Sequence, residues 1–215
     1  MNKNVFFLVF FLAAFAICSV STAAPAPVGT PTRAIQDLDA KLDTYKTGAN
    51  LSPEDEEYNK NLKKDIIHGT FDVRELSKLA LARHWNERSQ KEQDEFVQLM
   101  TDLLEKRGIL SKEQGKRKSK SGNVYNITYK GDKFLNAEKT RVLTRTSVYV
   151  KSEDIRVELN YKLVRKPNKE WMIYDVIVDG ASLLDNYKFQ FDSIIKKHGY
   201  PDLVRRMKGK LDKMA

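Results

Sequence analysis

Cysteine is almost missing from this chain: Cys18 is the only one in 215 residues. A disulfide framework is excluded, and so are a cysteine-ligated zinc site and paired-thiol redox chemistry. Histidine is nearly as scarce. His68, His84 and His198 stand alone, without a second histidine or cysteine at metal-ligand spacing. No GxSxG, phosphate-binding glycine loop, HExxH or GxGxxG occurs, and Gly180-Ala181-Ser182 is only half of a nucleophile elbow. The longest apolar run, Val5 to Ile17, falls short of the roughly 20 residues that a spanning helix needs.

That run has the form of a secretory signal. Lys3 supplies the positive start, and the small residues Ser21-Thr22-Ala23-Ala24 follow the apolar stretch. Residues 1–23 are therefore expected to be a signal peptide cleaved after Ala23, with a retained membrane anchor as the alternative. Cys18 leaves with the signal, and a secreted chain without disulfides must rely on its core. This fits the bacterial periplasm. The net charge of +9 loses only Lys3 with the signal. A basic balance of this size points to an anionic partner, and secretion argues against nucleic acid.

Periodicity divides residues 24–215 into three runs of one domain: helices over 32–107, a sheet over 122–180, and helices again over 182–213. Ile35, Leu38, Leu42 and Tyr45 recur at helical spacing after the linker 25–31. Ser52-Pro53 with Glu54, Asp55 and Glu56 starts a second helix, with Tyr58, Leu62 and Ile66 inward and an end at His68-Gly69. Asp72 and Glu75, then Ser89 and Glu92, have capping-box spacing. After residue 122 the period falls to 2 over Val124–Lys130, Arg141–Val150, Ile155–Val164 and Trp171–Asp179, with turns at Gly131-Asp132, Ser152-Glu153 and Pro167-Asn168. Ser182 and His198-Gly199 bound one C-terminal helix, and Pro201 opens the last. The order implies an α+β fold with helices on one face of an antiparallel meander.

Few residues suggest catalysis. Asp175 and Asp179 share one strand face, but a structural role for each is the simpler reading. Lys112, Lys116, Arg117, Lys118 and Lys120 crowd one glycine- and serine-containing loop, either as a solvated loop or as a docking site for an anionic surface. Trp85 and Trp171 read as structural.

Residues 71–104, FDVRELSKLALARHWNERSQKEQDEFVQLMTDLL, and 157–199, VELNYKLVRKPNKEWMIYDVIVDGASLLDNYKFQFDSIIKKHG, together resemble the MlaC-type (toluene-tolerance) family of periplasmic lipid carriers. Two departures stand out: Ala82 replaces a usual glycine, and Val97-Gln98-Leu99-Met100 lacks a common second phenylalanine. The resemblance implies an NTF2-like curved sheet with a helical subdomain and an apolar cavity holding a phospholipid by its tails, with no cofactor and no enzymatic activity. It further implies two partners, an inner-membrane ABC transporter/MCE-type complex and an outer-membrane lipoprotein-porin complex, and a role in outer-membrane lipid asymmetry. Candidate lining residues are Phe96, Met100, Leu103, Val148, Val157, Leu159, Tyr161, Val176, Tyr187 and Phe191, between the sheet and the helices at 89–107 and 182–197. The alternatives are an NTF2-like enzyme acting on a small apolar substrate, for which the inward strand positions look too uniformly apolar, and a structural adaptor.

Overall fold

Capping chemistry opens most of the helices. The computed structural model describes residues 18–19, 24–48, 50–107, 124–150, 154–168 and 170–214. Thr30 accepts a hydrogen bond from the Arg33 amide, and Pro31 lies in the first turn of α1 (Pro31–Asp43). The expected linker thus supplies the cap. Ser52 does the same for α2 (Pro53–Thr70), accepting from the Asp55 amide at 3.1 Å. This helix continues through His68-Gly69, against expectation, because Ile66, Ile67 and Thr70 carry its buried stripe past the glycine. Tyr58, expected inward, is exposed and donates its hydroxyl to Thr44.

Asp72 and Glu75 make only half of the expected box. Asp72 accepts from the Glu75 amide and starts α3 (Val73–Leu81), but the Glu75 carboxylate pairs with Arg141. The Asp72 amide is taken by the Ile173 carbonyl, which joins the helix start to the sheet. A single 3-10 turn, Ala82–Trp85, then buries Trp85. Ser89 and Glu92 form the complete box, each side chain bonding the other's amide, ahead of α4 (Gln90–Arg107).

The sheet runs in sequence order. Antiparallel strands β2 (Val124–Phe134), β3 (Arg141–Val150), β4 (Ile155–Arg165), β5 (Trp171–Val178) and β6 (Ala181–Ser182) form a curved, unclosed meander. A two-residue parallel strand, β1 (Cys18–Ser19), lies beside the start of β2. Gly131-Asp132 is not the expected turn. It lies inside β2 at a bulge, where Gly131 has φ +86°, and the strand runs on to Phe134. A second bulge, at Tyr174, shifts β5 against β4. Residues 152–153 lie outside the described residues.

Helices α5 (Leu183–His198) and α6 (Tyr200–Asp212) meet at Gly199, whose φ of +81° ends one and admits the other. Helices α1, α2, α3 and α5 pack on the sheet, while α4 packs on α2, α3 and α6. The molecule is an α+β fold in which α4 and α6 form an outer helical layer.

One buried carboxylate joins sheet and helices. Asp175, almost fully buried on β5, pairs with Lys162 of β4 at 2.9 Å. It also accepts from the Ser182 hydroxyl at 2.7 Å and the Leu184 amide at 2.9 Å. Ser182 in turn caps α5 through the Asp185 amide. The other member of the expected pair, Asp179, accepts from the Glu158 amide where β5 ends. The two aspartates therefore have separate structural jobs. Asp175→Ala leaves an amine, a hydroxyl and an amide without their acceptor and is expected to cost about 3 kcal/mol in urea unfolding.

Ala82 carries backbone strain. Its φ of +49° with ψ of −121° is a conformation that glycine adopts freely and a Cβ opposes. This is the position where the family resemblance expects glycine. Ala82→Gly should stabilise the protein by about 1 kcal/mol, read as a higher urea midpoint at unchanged slope.

Candidate functional site

The register defines which strand residues share the helix-facing side of the sheet. Val142, Thr144, Thr146, Val148 and Val150 of β3 lie opposite Leu163, Tyr161, Leu159, Val157 and Ile155 of β4. Ile173, Val176 and Val178 extend this face on β5, and Ile127 and Tyr129 extend it on β2. Beyond the β2 bulge the phase shifts by one, so Asp132 and Phe134 take the inward positions.

This face has two unequal halves. Val142, Leu163, Ile173, Tyr161 and Val176 are buried and join the main core with the helices. At the other end, Val148 and Val150 form a separate small cluster with Ile127 and Leu159. Leu159 packs against both clusters. Val157 and Leu159 are half-buried, and Ile155 at the strand end is exposed. Burial on this half therefore grades from Val148 and Val150, which are buried, through Val157 and Leu159 to the exposed Ile155.

The ten candidate lining residues fall into three groups. Val148, Val157, Leu159, Tyr161 and Val176 all lie on the helix-facing side of the sheet. Tyr187 and Phe191 lie on α5, which packs on β5, with their rings stacked at 5.3 Å. Phe96, Met100 and Leu103 are buried on α4, in the outer helical layer. Phe96 sets its edge against Phe191 at 5.6 Å and also meets Tyr200. The α5 aromatics thus stand between the α4 group and the sheet group. Lys112, Lys116, Arg117, Lys118 and Lys120 lie outside the described residues.

The inward face is less uniformly apolar than the sequence suggests. Asp132 accepts from the Thr144 hydroxyl at 2.7 Å and from the Thr32 hydroxyl at 3.0 Å. Nearly two turns further along α1, Asp39 accepts the hydroxyl of Tyr129. These two ties hold α1 on β2. Burial drives the Asp39 carboxyl up to about 7, against the lowering effect of the Tyr129 bond and with help from the nearby Asp43 charge. Burial, then the Asp39 charge, pushes the Tyr129 phenol up as well, and Tyr161 beside them is driven well above its usual range by burial. Asp39 follows Leu38 and lies four residues after Ile35, so its place beside the buried stripe was open to inspection. Asp132 was hidden by the bulge.

Among the described residues no group of three or more histidine, cysteine, aspartate or glutamate side chains forms a metal site. No described helix is long and apolar enough to cross a membrane. Asp192 has its acidity explained by partners: Lys196, then His84, hydrogen-bond it and lower its carboxyl to about 2.

The MlaC protein family matches residues 36–209. The chain belongs to the MlaC family. Seven solved chains match it in structure. One is a phospholipid-binding protein from Ralstonia solanacearum, solved in complex with a phospholipid. It is 20% identical, aligns with a TM-score of 0.64, and the match covers 84% of this chain and 96% of that one. At that identity the likeness is one of fold. No curated protein matches the sequence significantly.

Asp39 generates a pH prediction with a definite sign. Its folded pKa lies above the unfolded value of 3.8, so the folded state binds the proton more tightly. That stabilisation is complete below about pH 4 and is lost as pH rises toward 7. Asp39→Asn keeps an acceptor for Tyr129 and removes the ionisation. The variant should melt higher than wild type at pH 8, with the difference vanishing near pH 4. Equal melting curves across this range would show that Asp39 is solvated.

Proposed function

We propose that this protein is a periplasmic phospholipid carrier, exported by a cleaved signal peptide, that shuttles lipid between the outer membrane and an inner-membrane ABC transporter/MCE-type complex. An outer-membrane lipoprotein-porin complex is its partner at the other end, and maintenance of outer-membrane asymmetry is the outcome. Membership of the MlaC family carries this reading. It is supported by the phospholipid seen in a protein of the same fold and by a second, separate apolar cluster on the helix-facing side of the sheet.

The physics of lipid transfer explains the architecture. Two acyl chains carry about 30 methylenes, each contributing about 0.8 kcal/mol when shielded from water. A free lipid crossing an aqueous gap therefore faces a barrier on the order of 20 kcal/mol. A carrier must replace the bilayer with apolar contacts of similar strength, so that it can both load and unload. Non-directional side chains such as Val148, Val157 and Leu159 meet that need.

The test is organic extraction of the purified protein followed by mass spectrometry. Phospholipid should be recovered at close to one molecule per chain. Leu159→Arg, on a half-buried position between the two apolar clusters, should fold and emerge without lipid. A folded Leu159→Arg protein with undiminished lipid would reject this face as the tail site.

Asp39 beside Tyr129 and Tyr161 favours a second reading, an NTF2-like enzyme, because a carboxyl titrating near neutrality can exchange protons. The readings separate on the fate of the lipid. A carrier returns phospholipid chemically unchanged from wild type and from Asp39→Asn. Lipid altered by wild type and spared by Asp39→Asn would establish the enzyme.

A further inference from the structure

The end of the sheet opposite the small apolar cluster carries a combination that the cargo site does not use. Phe134 and Leu135 are large apolar residues at the turn between β2 and β3, each 44% exposed, and Val28 is 87% exposed. They are neighbours through Trp171. The Trp171 indole donates to the Gly29 carbonyl at 3.1 Å, beside Val28, and its ring lies 6.4 Å from that of Phe134.

Cations surround this apolar tip. The Lys139 ammonium lies 5.8 Å from the Phe134 ring centre, and the Arg165 guanidinium lies 5.8 Å from that of Trp171. Lys133, exposed, lies two residues before Leu135, on the face of β2 opposite Phe134. Among the described residues none of these three forms an ion pair with a carboxylate. Two further cations nearby are engaged, Arg141 with Glu75 and Lys166 with Asp72. The acids at the tip itself are Glu138 and Glu170, which accept from the amides of Asn136 and Asn168.

The turn is built to hold this shape. The Asn136 side chain accepts from the amides of Thr140 and Arg141, and the Leu135 amide donates to the Arg141 carbonyl. Lys139 adopts φ +54°, a conformation that costs a side chain energy, and this backbone carries its ammonium to the Phe134 ring. Two adjacent large apolar residues, each 44% exposed, with cations against their rings form a patch of mixed character at one end of the sheet.

We propose that Val28, Phe134 and Leu135, ringed by Lys133, Lys139 and Arg165, form a docking tip for the surface of an anionic lipid bilayer. Apolar side chains enter the headgroup boundary while the cations meet lipid phosphates, the two-part scheme by which peripheral proteins hold membranes reversibly. The occupant is argued from charge complementarity. A protein partner would be an outcome of the test. The tip stands independently of the cargo reading, because none of its residues belongs to the proposed tail site.

The experiment is flotation of the purified protein with vesicles of phosphatidylcholine alone or mixed with phosphatidylglycerol. Wild type should float with the mixed vesicles, and salt should release it. Leu135→Ser, at an exposed turn position, should fold normally and bind several-fold more weakly. Lys133→Gln, Lys139→Gln and Arg165→Gln together should lower binding by about five-fold per charge. Lys64→Gln, Lys197→Gln and Lys208→Gln, the same charge change on exposed helical positions, should lower it far less. Lipid extracted from each preparation reports the cargo function separately. The proposal is overturned if wild type ignores anionic vesicles, if Leu135→Ser and the tip triple bind as wild type, or if both triples lose binding equally. Failure of the wild type on vesicles would leave a protein surface as the alternative partner.

Discussion

The placement of Asp175 is the constraint on which the junction between sheet and helices depends. A carboxylate with almost no exposure is costly unless its oxygens are filled, and here a lysine, a hydroxyl and an amide fill them. Two of these donors, Ser182 and the Leu184 amide, belong to the first residues of β6 and α5. The third, Lys162, comes from the neighbouring strand. Satisfying one charge therefore sets the exit angle of the chain from β5 into α5. The bulge at Tyr174 assists, since it shifts the phase of β5 by one residue and brings Asp175 opposite Lys162. Phe191 and Leu184 are then carried to their buried positions by the helix that this junction orients.

Helix α1 is held by a different kind of interaction. Its Ile35, Leu38 and Leu42 are buried, and two polar ties to β2 add direction to that packing. Hydrophobic burial alone permits a helix to slide or roll over an apolar sheet face. Hydrogen bonds from Thr32 to Asp132 and from Tyr129 to Asp39, nearly two turns apart along α1, fix both its position and its rotation.

Most of the helical boundaries were legible in the residues, because caps are local chemistry. Ser52-Pro53, Ser89 with Glu92, Ser182 and His198-Gly199 each act as their spacing implies. The strands were legible for the same reason, since period-2 alternation of valine, isoleucine, threonine and tyrosine needs no distant partner to be read. What escaped depends on contacts between segments far apart in the chain. Gly69 stays helical because the burial of Thr70 outweighs a glycine's weak propensity. Gly131 becomes a bulge because β2 keeps pairing with β3 after it. The polar pins on the inward face follow from that bulge, and no count along one strand reveals them. Of the candidate lining residues, those on strands share one face of the sheet, as alternation implies. The layer occupied by α4 was not legible, since an amphipathic helix shows that it buries a stripe but not against what.

The two halves of the inward face suit opposite demands. Val142, Leu163 and Ile173 are closed under helices, and close packing there gives the stability that a chain without disulfides must find in its core. Val148 of β3 and Val157 and Leu159 of β4 lie in the other half, where the β3–β4 pairing is unbroken. The ladder holds the backbone of this half, and its apolar side chains grade from buried Val148 through half-buried Val157 and Leu159 to exposed Ile155. Leu159 touches both clusters, so the main core and the small cluster meet at a single side chain. Close packing under the helices and the graded burial at the strand end thus occupy different parts of one sheet, joined by a continuous β3–β4 ladder.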